Sequence, residues 1–345
     1  MASIPWCTKH AAPTHICRCE NPKSTTIFDV RGALGDELCC EPIIRYAIKS
    51  APLEDIRILS GHKQIFSHFN VPVGLTEEEI NAPLKHRRIF ASPYVVTSRG
   101  IQVNPFCEYA TPLLCHPIDF HSLFMLKRMI PDEDKRIHIE VSQKIVEFLR
   151  HEIYETIHEQ LEDLILIHVG TTEKVRLLPD EYLAQIVKGL TQHFPVAFIG
   201  KTKGFCTKVP ETDSQANRRT INLVDKLNWD ELAALTSKAR LLITNDSGPL
   251  HVASAFNNAI LALPTIRHPD RLLHIRKGSR YYRTAALYQK LMFDDQQCPF
   301  YDTKNGMAWE PFESQREAFL ALPEQVIATS KKLYHYEMMQ GGINP

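Results

Sequence analysis

Leu241 to Phe256 reads LLITNDSGPLHVASAF. Leu241 to Thr244 are apolar or β-branched and spell a short buried strand, and Asn245, Asp246, Ser247 and Gly248 are turn formers directly behind it. Pro249 suits the first position of a helix, where the N–H it lacks would have no intrahelical partner, and Leu250, Val252, Ala253 and Phe256 continue an apolar helix surface. Strand, tight turn and helix in succession aim the backbone N–H groups of the helix start into the crevice at the carboxyl edge of a parallel sheet, a seat for phosphate.

The surrounding sequence repeats this unit. Strand patterns at Leu164–His168, Val196–Ile199, Arg240–Thr244 and Ile260–Leu263 alternate with helix patterns near Pro179–Gln192, Trp229–Lys238 and Pro249–Asn257. Such alternation predicts βαβ units and a parallel sheet covered on both faces, a Rossmann-like half. Upstream, Ser142 to Leu161 carries Ile145, Phe148, Leu149, Ile153, Ile157 and Leu161 at three- and four-residue steps, a long amphipathic helix that ends at Glu162-Asp163. The domain boundary is expected there. The predicted division is an irregular leader over 1–26, an N-terminal Rossmann-like domain over 27–161, a second over 162–313, and a closing helix within 314–345 that crosses back to the first domain.

A chain of 345 residues suits two domains. With 40 basic and 40 acidic residues, nothing global steers it toward nucleic acid or an anionic membrane. No apolar run reaches the ~20 residues that span a bilayer, the N-terminus lacks a secretory core, and the nine cysteines read as reduced thiols, so a cytoplasmic protein is expected. In the leader, Cys7, His10, His15, Cys17 and Cys19 are zinc-ligand types, but the Cys-x-Cys spacing and the lack of a second knuckle argue against a metal.

TIFDV at 26–30 predicts the first strand, followed by the loop Arg31-Gly32-Ala33-Leu34-Gly35-Asp36 and a helix over Glu37–Lys49. Gly32 and Gly35 stand three apart and do not complete the dinucleotide fingerprint. Locally, Asp36 has two roles open: it caps the helix, or it stands at the edge of the first domain and takes a proton from a hydroxyl. Further on, IRILS at 56–60, YVVT at 94–97 and RIHIEV at 136–141 look like strands that could complete a parallel sheet, between joints rich in proline.

Asp246-Ser247-Gly248-Pro249-Leu250-His251-Val252-Ala253-Ser254-Ala255 resembles the donor-site motif of the heptosyltransferases, inverting glycosyltransferases of GT-B fold, in which that motif usually reads Asp-Ser/Thr-Gly-Pro-x-His-x-Ala-x-Ala. The resemblance is continuous over roughly 162–270 and implies two Rossmann-like domains facing across a cleft. It implies that Asp246, Ser247, Gly248 and His251 meet the donor, a nucleotide-diphosphate sugar. It implies that a cation three residues before Pro179, here Arg176 with Lys174 nearby, neutralises the diphosphate. Gly35-Asp36-Glu37-Leu38 followed by Pro42 is similar to the family's opening loop, which maps the catalytic base onto Asp36, with Glu37 and Glu41 as fallbacks. No metal and no cofactor is implied. Pro264-Thr265 lacks the glycine that usually precedes this pair in the family.

Arg267, Arg271, Arg276, Lys277, Arg280, Tyr281, Tyr282 and Arg283 make a basic, aromatic run in which Arg276 and Arg280 are candidate contacts to an acceptor or to nucleic acid. The alternative is a solvated face. The acceptor is therefore a lipopolysaccharide-type saccharide, as the resemblance implies, or a hydroxylated base in DNA. A nucleotide-sugar epimerase and a non-catalytic nucleotide-sugar-binding protein are the other function classes that this architecture allows.

Overall fold

The computed structural model describes residues 6–7, 12–13, 26–50, 56–74, 87–90, 94–97, 100–103, 116–126, 128–210, 219–265, 268–289, 301–302, 306–307 and 316–335. The chain forms two units, Met1–Glu140 and Val141–Pro345.

In the first unit, strand β1 (Thr26–Asp29) is buried along its whole length and pairs in parallel with β2 (Ile56–Leu59) on one side and β3 (Arg87–Phe90) on the other. Helix α1 (Leu34–Ser50) makes the crossover from β1 to β2 and buries Leu38, Ile43, Ile44 and Ala47. Helix α2 (Pro117–Met125) packs against α1. Its start is fixed locally, by Pro117 in the first turn and by His116 Nδ1, which accepts the Ile118 N–H at 3.2 Å.

Two strand expectations are corrected here. Tyr94–Thr97 is a strand, but it pairs antiparallel with Gly100–Val103 as a hairpin. Residues 136–141 form no strand and have no sheet partner among the described residues; the His138 N–H goes instead to Glu41 Oε2 at 2.8 Å, so a side chain takes the place of a ladder.

The second unit is built on β4 (Ile165–His168), β5 (Val196–Ile199), β6 (Thr220–Asn222), β7 (Leu241–Thr244), β8 (Ala259–Ala262) and β9 (Thr284–Ala286). All pairings are parallel and the spatial order is β6-β5-β4-β7-β8-β9. The central strands are apolar up to their carboxyl ends, where β4 closes on His168 and β7 on Thr244, because both faces are covered. Ile165, Ile167, Val196, Phe198, Leu241, Ile243 and Leu261 point to a core shared with α4 (Asp180–Thr191) and α7 (Pro323–Tyr334). Leu166, Ala197, Ile199, Leu242, Ile260 and Ala262 point the other way, to α3 (Gln143–Ile157), α5 (Trp229–Lys238) and α6 (Gly248–Ser254). Each of these large side chains contributes about 1.5–3 kcal/mol by leaving water. Helix α5 starts on a capping box, with Asn228 Oδ1 accepting from Glu231 N at 2.9 Å and Glu231 Oε2 accepting from Asn228 N at 2.8 Å.

The domain boundary differs from expectation. Helix α3 belongs to the second unit, so the boundary falls at Glu140/Val141 rather than at 161/162, because Val146, Leu149, Ile153 and Ile157 cover the sheet face that carries Leu166. Helix α7 packs against β7, β8 and α4 of the second unit. Val326 and Leu333 enter its core, the Tyr334 ring lies 4.2 Å from that of Phe194, and the preceding Ala321 carbonyl accepts from Tyr182 Oη at 2.8 Å. Among the described residues no helix is long and apolar enough to cross a membrane.

Candidate functional site

The order of the second sheet reverses between β4 and β7, since the chain winds outward from β4 to β5 and β6 in one direction and resumes at β7 in the other. At such a switch point the loops leaving two adjacent strands diverge and open a crevice at the carboxyl ends. Here those ends are His168 and Thr244, and the loops are residues 169–179 and the turn at 245–247.

The two loops are cross-tied. Asn245 Nδ2 donates to the Arg176 carbonyl at 2.8 Å, and Arg176 Nη1 donates back to the Asp246 carbonyl at 3.0 Å. Arg176 Nη1 also lies 3.6 Å from Asp246 Oδ2, and Arg176 Nε lies 3.0 Å from Glu173 Oε2. Arg176 thus organises the site with much of its charge already balanced by carboxylates, whereas Lys174 is exposed. Asp246 is buried. Ser247 has an extended backbone and precedes α6, and Gly248 opens that helix. His251 is buried, with Nδ1 at 2.7 Å from His274 Nε2, so one of its two nitrogens is engaged by another imidazole. Close backbone approach holds the neighbouring loop: a Cβ on Gly170 would lie 2.9 Å from the Lys201 carbonyl oxygen, and one on Gly204, whose φ is +109°, 2.7 Å from the Thr171 oxygen.

His168 is the residue that sequence reading missed. It is buried, and its Nδ1 lies 2.9 Å from Ser247 Oγ, 3.3 Å from Asn245 Oδ1 and 3.5 Å from Thr244 Oγ1. Burial lowers its pKa from 6.5 to about 4, so the ring is neutral at physiological pH. The one signal in the sequence is its position as the last residue of a strand, directly before the glycine-containing loop.

In the first unit, Asp36 lies at the third position of α1, not at its cap, and its side chain is 55% exposed with Oδ1 at 3.5 Å from His121 Nε2. The fallback carboxylates are both buried. Glu37 accepts from Gly61 N at 2.9 Å, Gly32 N and His62 N at 3.1 Å, and from Ser60 Oγ. Desolvation pushes its pKa up, but bonds from His62, Ser60 and the loop amides outweigh that and hold it below the usual carboxylate range. Glu41 accepts from Arg45 Nε at 2.9 Å and from His138 N, with His68 Nε2 at 3.1 Å. Gly32 gives its N–H to Glu37, and Gly35 is buried inside α1. The glycine loop therefore has a structural use, as the collar around Glu37.

The basic run resolves differently from both expectations. Arg276 is buried and serves as an internal strut: Nη1 donates to the carbonyls of Asn258 at 2.8 Å and Phe256 at 3.1 Å, and Nη2 to Tyr282 O at 2.6 Å and to Thr284 Oγ1. Arg280 Nη1 is held by the Asp270 carbonyl at 2.9 Å and by its carboxylate at 3.2 Å. Neither is an open cationic contact for a polynucleotide, which removes the observation behind a DNA acceptor. Arg267 lies outside the described residues, as do the side chains of Cys7, His10, His15, Cys17 and Cys19.

Residues 122–294, half of the chain, match the sequence profile of glycosyltransferase family 9 (heptosyltransferase). Lipopolysaccharide heptosyltransferase 1 of Campylobacter coli is 29% identical over 149 residues, 41% of this chain and 42% of that protein, so the match spans less than half of the relative's length. Among solved structures, the family 9 glycosyltransferase of Veillonella parvula aligns over 90% of this chain and 97% of its own, with a TM-score of 0.61 at 18% identity. The E. coli ADP-heptose lipopolysaccharide heptosyltransferase II aligns over 91% and 99%, with a TM-score of 0.60 at 14% identity. At that identity the likeness establishes the fold, the GT-B fold expected from the sequence.

Proposed function

Because the chain belongs to glycosyltransferase family 9, we propose that it transfers a sugar from a nucleotide-diphosphate sugar to a hydroxyl of a saccharide acceptor of the lipopolysaccharide type, with inversion at the anomeric carbon. The observation that carries this reading is the Asp246–Gly248 turn at the sheet's switch point, cross-tied to the loop that bears Lys174 and Arg176. Backbone N–H groups at Gly248 and the cations of the facing loop suit a diphosphate, whose charge grows as the glycosidic bond breaks. Asp36 is the base. It alone among the three carboxylates Asp36, Glu37 and Glu41 is exposed; the other two are buried and saturated with donors.

In the reaction, the Asp36 carboxylate takes the acceptor's hydroxyl proton, the hydroxyl oxygen bonds to the anomeric carbon, and the pair of the carbon–oxygen bond leaves with the diphosphate. The scheme uses no metal. A thermal-shift series with nucleoside diphosphates and nucleotide sugars tests the donor seat, since a ligand at a hundred times its Kd adds about 2.7 kcal/mol of stability. Gly248→Val should abolish that gain in a folded protein. An undiminished gain would take the turn out of the donor site.

A further inference from the structure

His168 stands at the switch point with Nδ1 hydrogen-bonded and Nε2 without a partner among the described residues. The tautomer follows from its neighbours. Asn245 Nδ2 donates to Arg176 O at 2.8 Å, which turns Asn245 Oδ1, an acceptor only, toward His168 Nδ1 at 3.3 Å. Thr244 Oγ1 donates to the Asn245 carbonyl at 3.0 Å, so it too offers lone pairs to Nδ1 and to Ser247 Oγ, 3.2 Å away. A lone pair on Nδ1 would face those of Asn245 and Thr244. A proton on Nδ1 completes a chain in which every hydrogen has a place: Nδ1–H donates to Ser247 Oγ at 2.9 Å, the Ser247 hydroxyl to Thr244 Oγ1, and the Thr244 hydroxyl to Asn245 O. The Ser247 hydroxyl is thereby occupied, which leaves its backbone rather than its side chain for a phosphate.

With the proton on Nδ1, Nε2 is a bare acceptor in a neutral ring. It has no hydrogen-bond partner among the described residues, and its ring is buried beside Gly170 and Gly200: a Cβ at Gly170 would be 3.6 Å from Nε2 and one at Gly200 3.5 Å from Cδ2. Nε2 is not fully enclosed, so a ligand group that supplies an O–H or N–H can reach it from the crevice and pair with it. The diphosphate of a nucleotide sugar, esterified at both ends, carries no proton at neutral pH and cannot do so. Hydroxyls of a ribose or of a transferred sugar can.

Resting on the donor-site reading above, we propose that His168 is a specificity-determining residue of that site whose Nε2 accepts a hydrogen bond from a sugar hydroxyl of the nucleotide sugar, next to the diphosphate and not part of its seat. Sites that hold a polar group for a particular hydroxyl discriminate strongly against ligands lacking it. His168 therefore distinguishes glycosylated or ribosylated diphosphates from bare pyrophosphate.

Isothermal titration of the full chain with inorganic pyrophosphate, with ADP, GDP and UDP, and with their nucleotide sugars tests this. His168→Asn keeps a donor near the place of Nδ1 and removes Nε2, whereas His168→Gln can return an acceptor near Nε2. His168→Asn should weaken the best nucleotide or nucleotide sugar roughly tenfold, leave pyrophosphate unchanged, and be partly rescued by His168→Gln. Loss for both the diphosphate and its sugar assigns the hydroxyl to the ribose, and loss for the sugar alone assigns it to the transferred residue. Wild-type affinity in His168→Asn while Gly248→Val binds nothing overturns the inference and leaves the donor seat standing; wild-type affinity in both variants, or a wild-type protein that binds no member of the series, overturns both. Histidine 15N NMR of the unliganded wild-type protein, which needs no variant to fold, gives a second test. An unprotonated Nε2 that shifts on nucleotide addition is expected, and a protonated Nε2 would refute the tautomer and the proposal with it.

Discussion

Asp36→Asn separates catalysis from stability because the structure sets the two costs on different scales. The side chain is 55% exposed at the third position of α1, and asparagine has nearly its volume. Losing a negative charge in the first turn of a helix costs about 0.3–1 kcal/mol. The contact to His121 at 3.5 Å involves a half-exposed carboxylate and adds at most about 1 kcal/mol. The melting temperature should accordingly fall by roughly 2–8 °C. If Asp36 takes the acceptor's proton, transfer should fall by about 10²–10⁴-fold, a barrier increase of about 3–5 kcal/mol. Turnover of a nucleotide sugar and thermal melting, measured on one preparation, read both. Glu37→Gln is the control with the opposite profile: an amide N–H₂ would replace an oxygen that accepts from loop amides 2.9–3.1 Å away, which costs roughly 3–5 kcal/mol and unseats residues 60–62. Near-normal turnover in folded Asp36→Asn would refute the base assignment, and a collapse in melting temperature would show that the carboxylate's role is structural.

Two further outcomes follow from buried groups. The His168 pKa falls from 6.5 to about 4 in the folded chain, so the unfolded chain takes up the proton first as pH drops; the stability tied to this residue is full above 6.5 and is lost toward 4, about 3 kcal/mol in all. Denaturant melts from about pH 7 to about 4 should fall more steeply for wild type than for His168→Asn, and parallel slopes would refute the assignment. Arg276→Ala should destabilise the second unit by about 3 kcal/mol or more, since it strands the carbonyls of Phe256, Asn258 and Tyr282 inside the protein. A melting temperature within about 2 °C of wild type would show that the strut is dispensable.

The repeating part of the fold was legible because its signals are local. Val196–Ile199 and Trp229–Lys238 fall where their sequence patterns put them, and the remaining strands and helices of the βαβ series lie within a few residues of expectation. The Asp246–Gly248 turn was legible for the same reason: strand, turn formers and Pro249 lie side by side in the chain. Asp36 was placed by resemblance, and Glu37 and Glu41 could not be set apart from it by sequence, because three carboxylates on one turn and a half of helix differ only in what folds over them.

Tertiary structure alone decided the rest. An arginine run reads as solvated charge until β8 and β9 bring backbone carbonyls around Arg276. An apolar helix stripe such as that of α3 fits any core, and only the sheet face it covers assigns it to a unit. His168 is 76 residues or more from Thr244, Asn245 and Ser247 in sequence, and the bonds that fix its proton exist because β4 and β7 lie next to each other. Sequence encodes what neighbouring residues do to one backbone; the protonation and burial of a side chain depend on groups that the sheet order brings together.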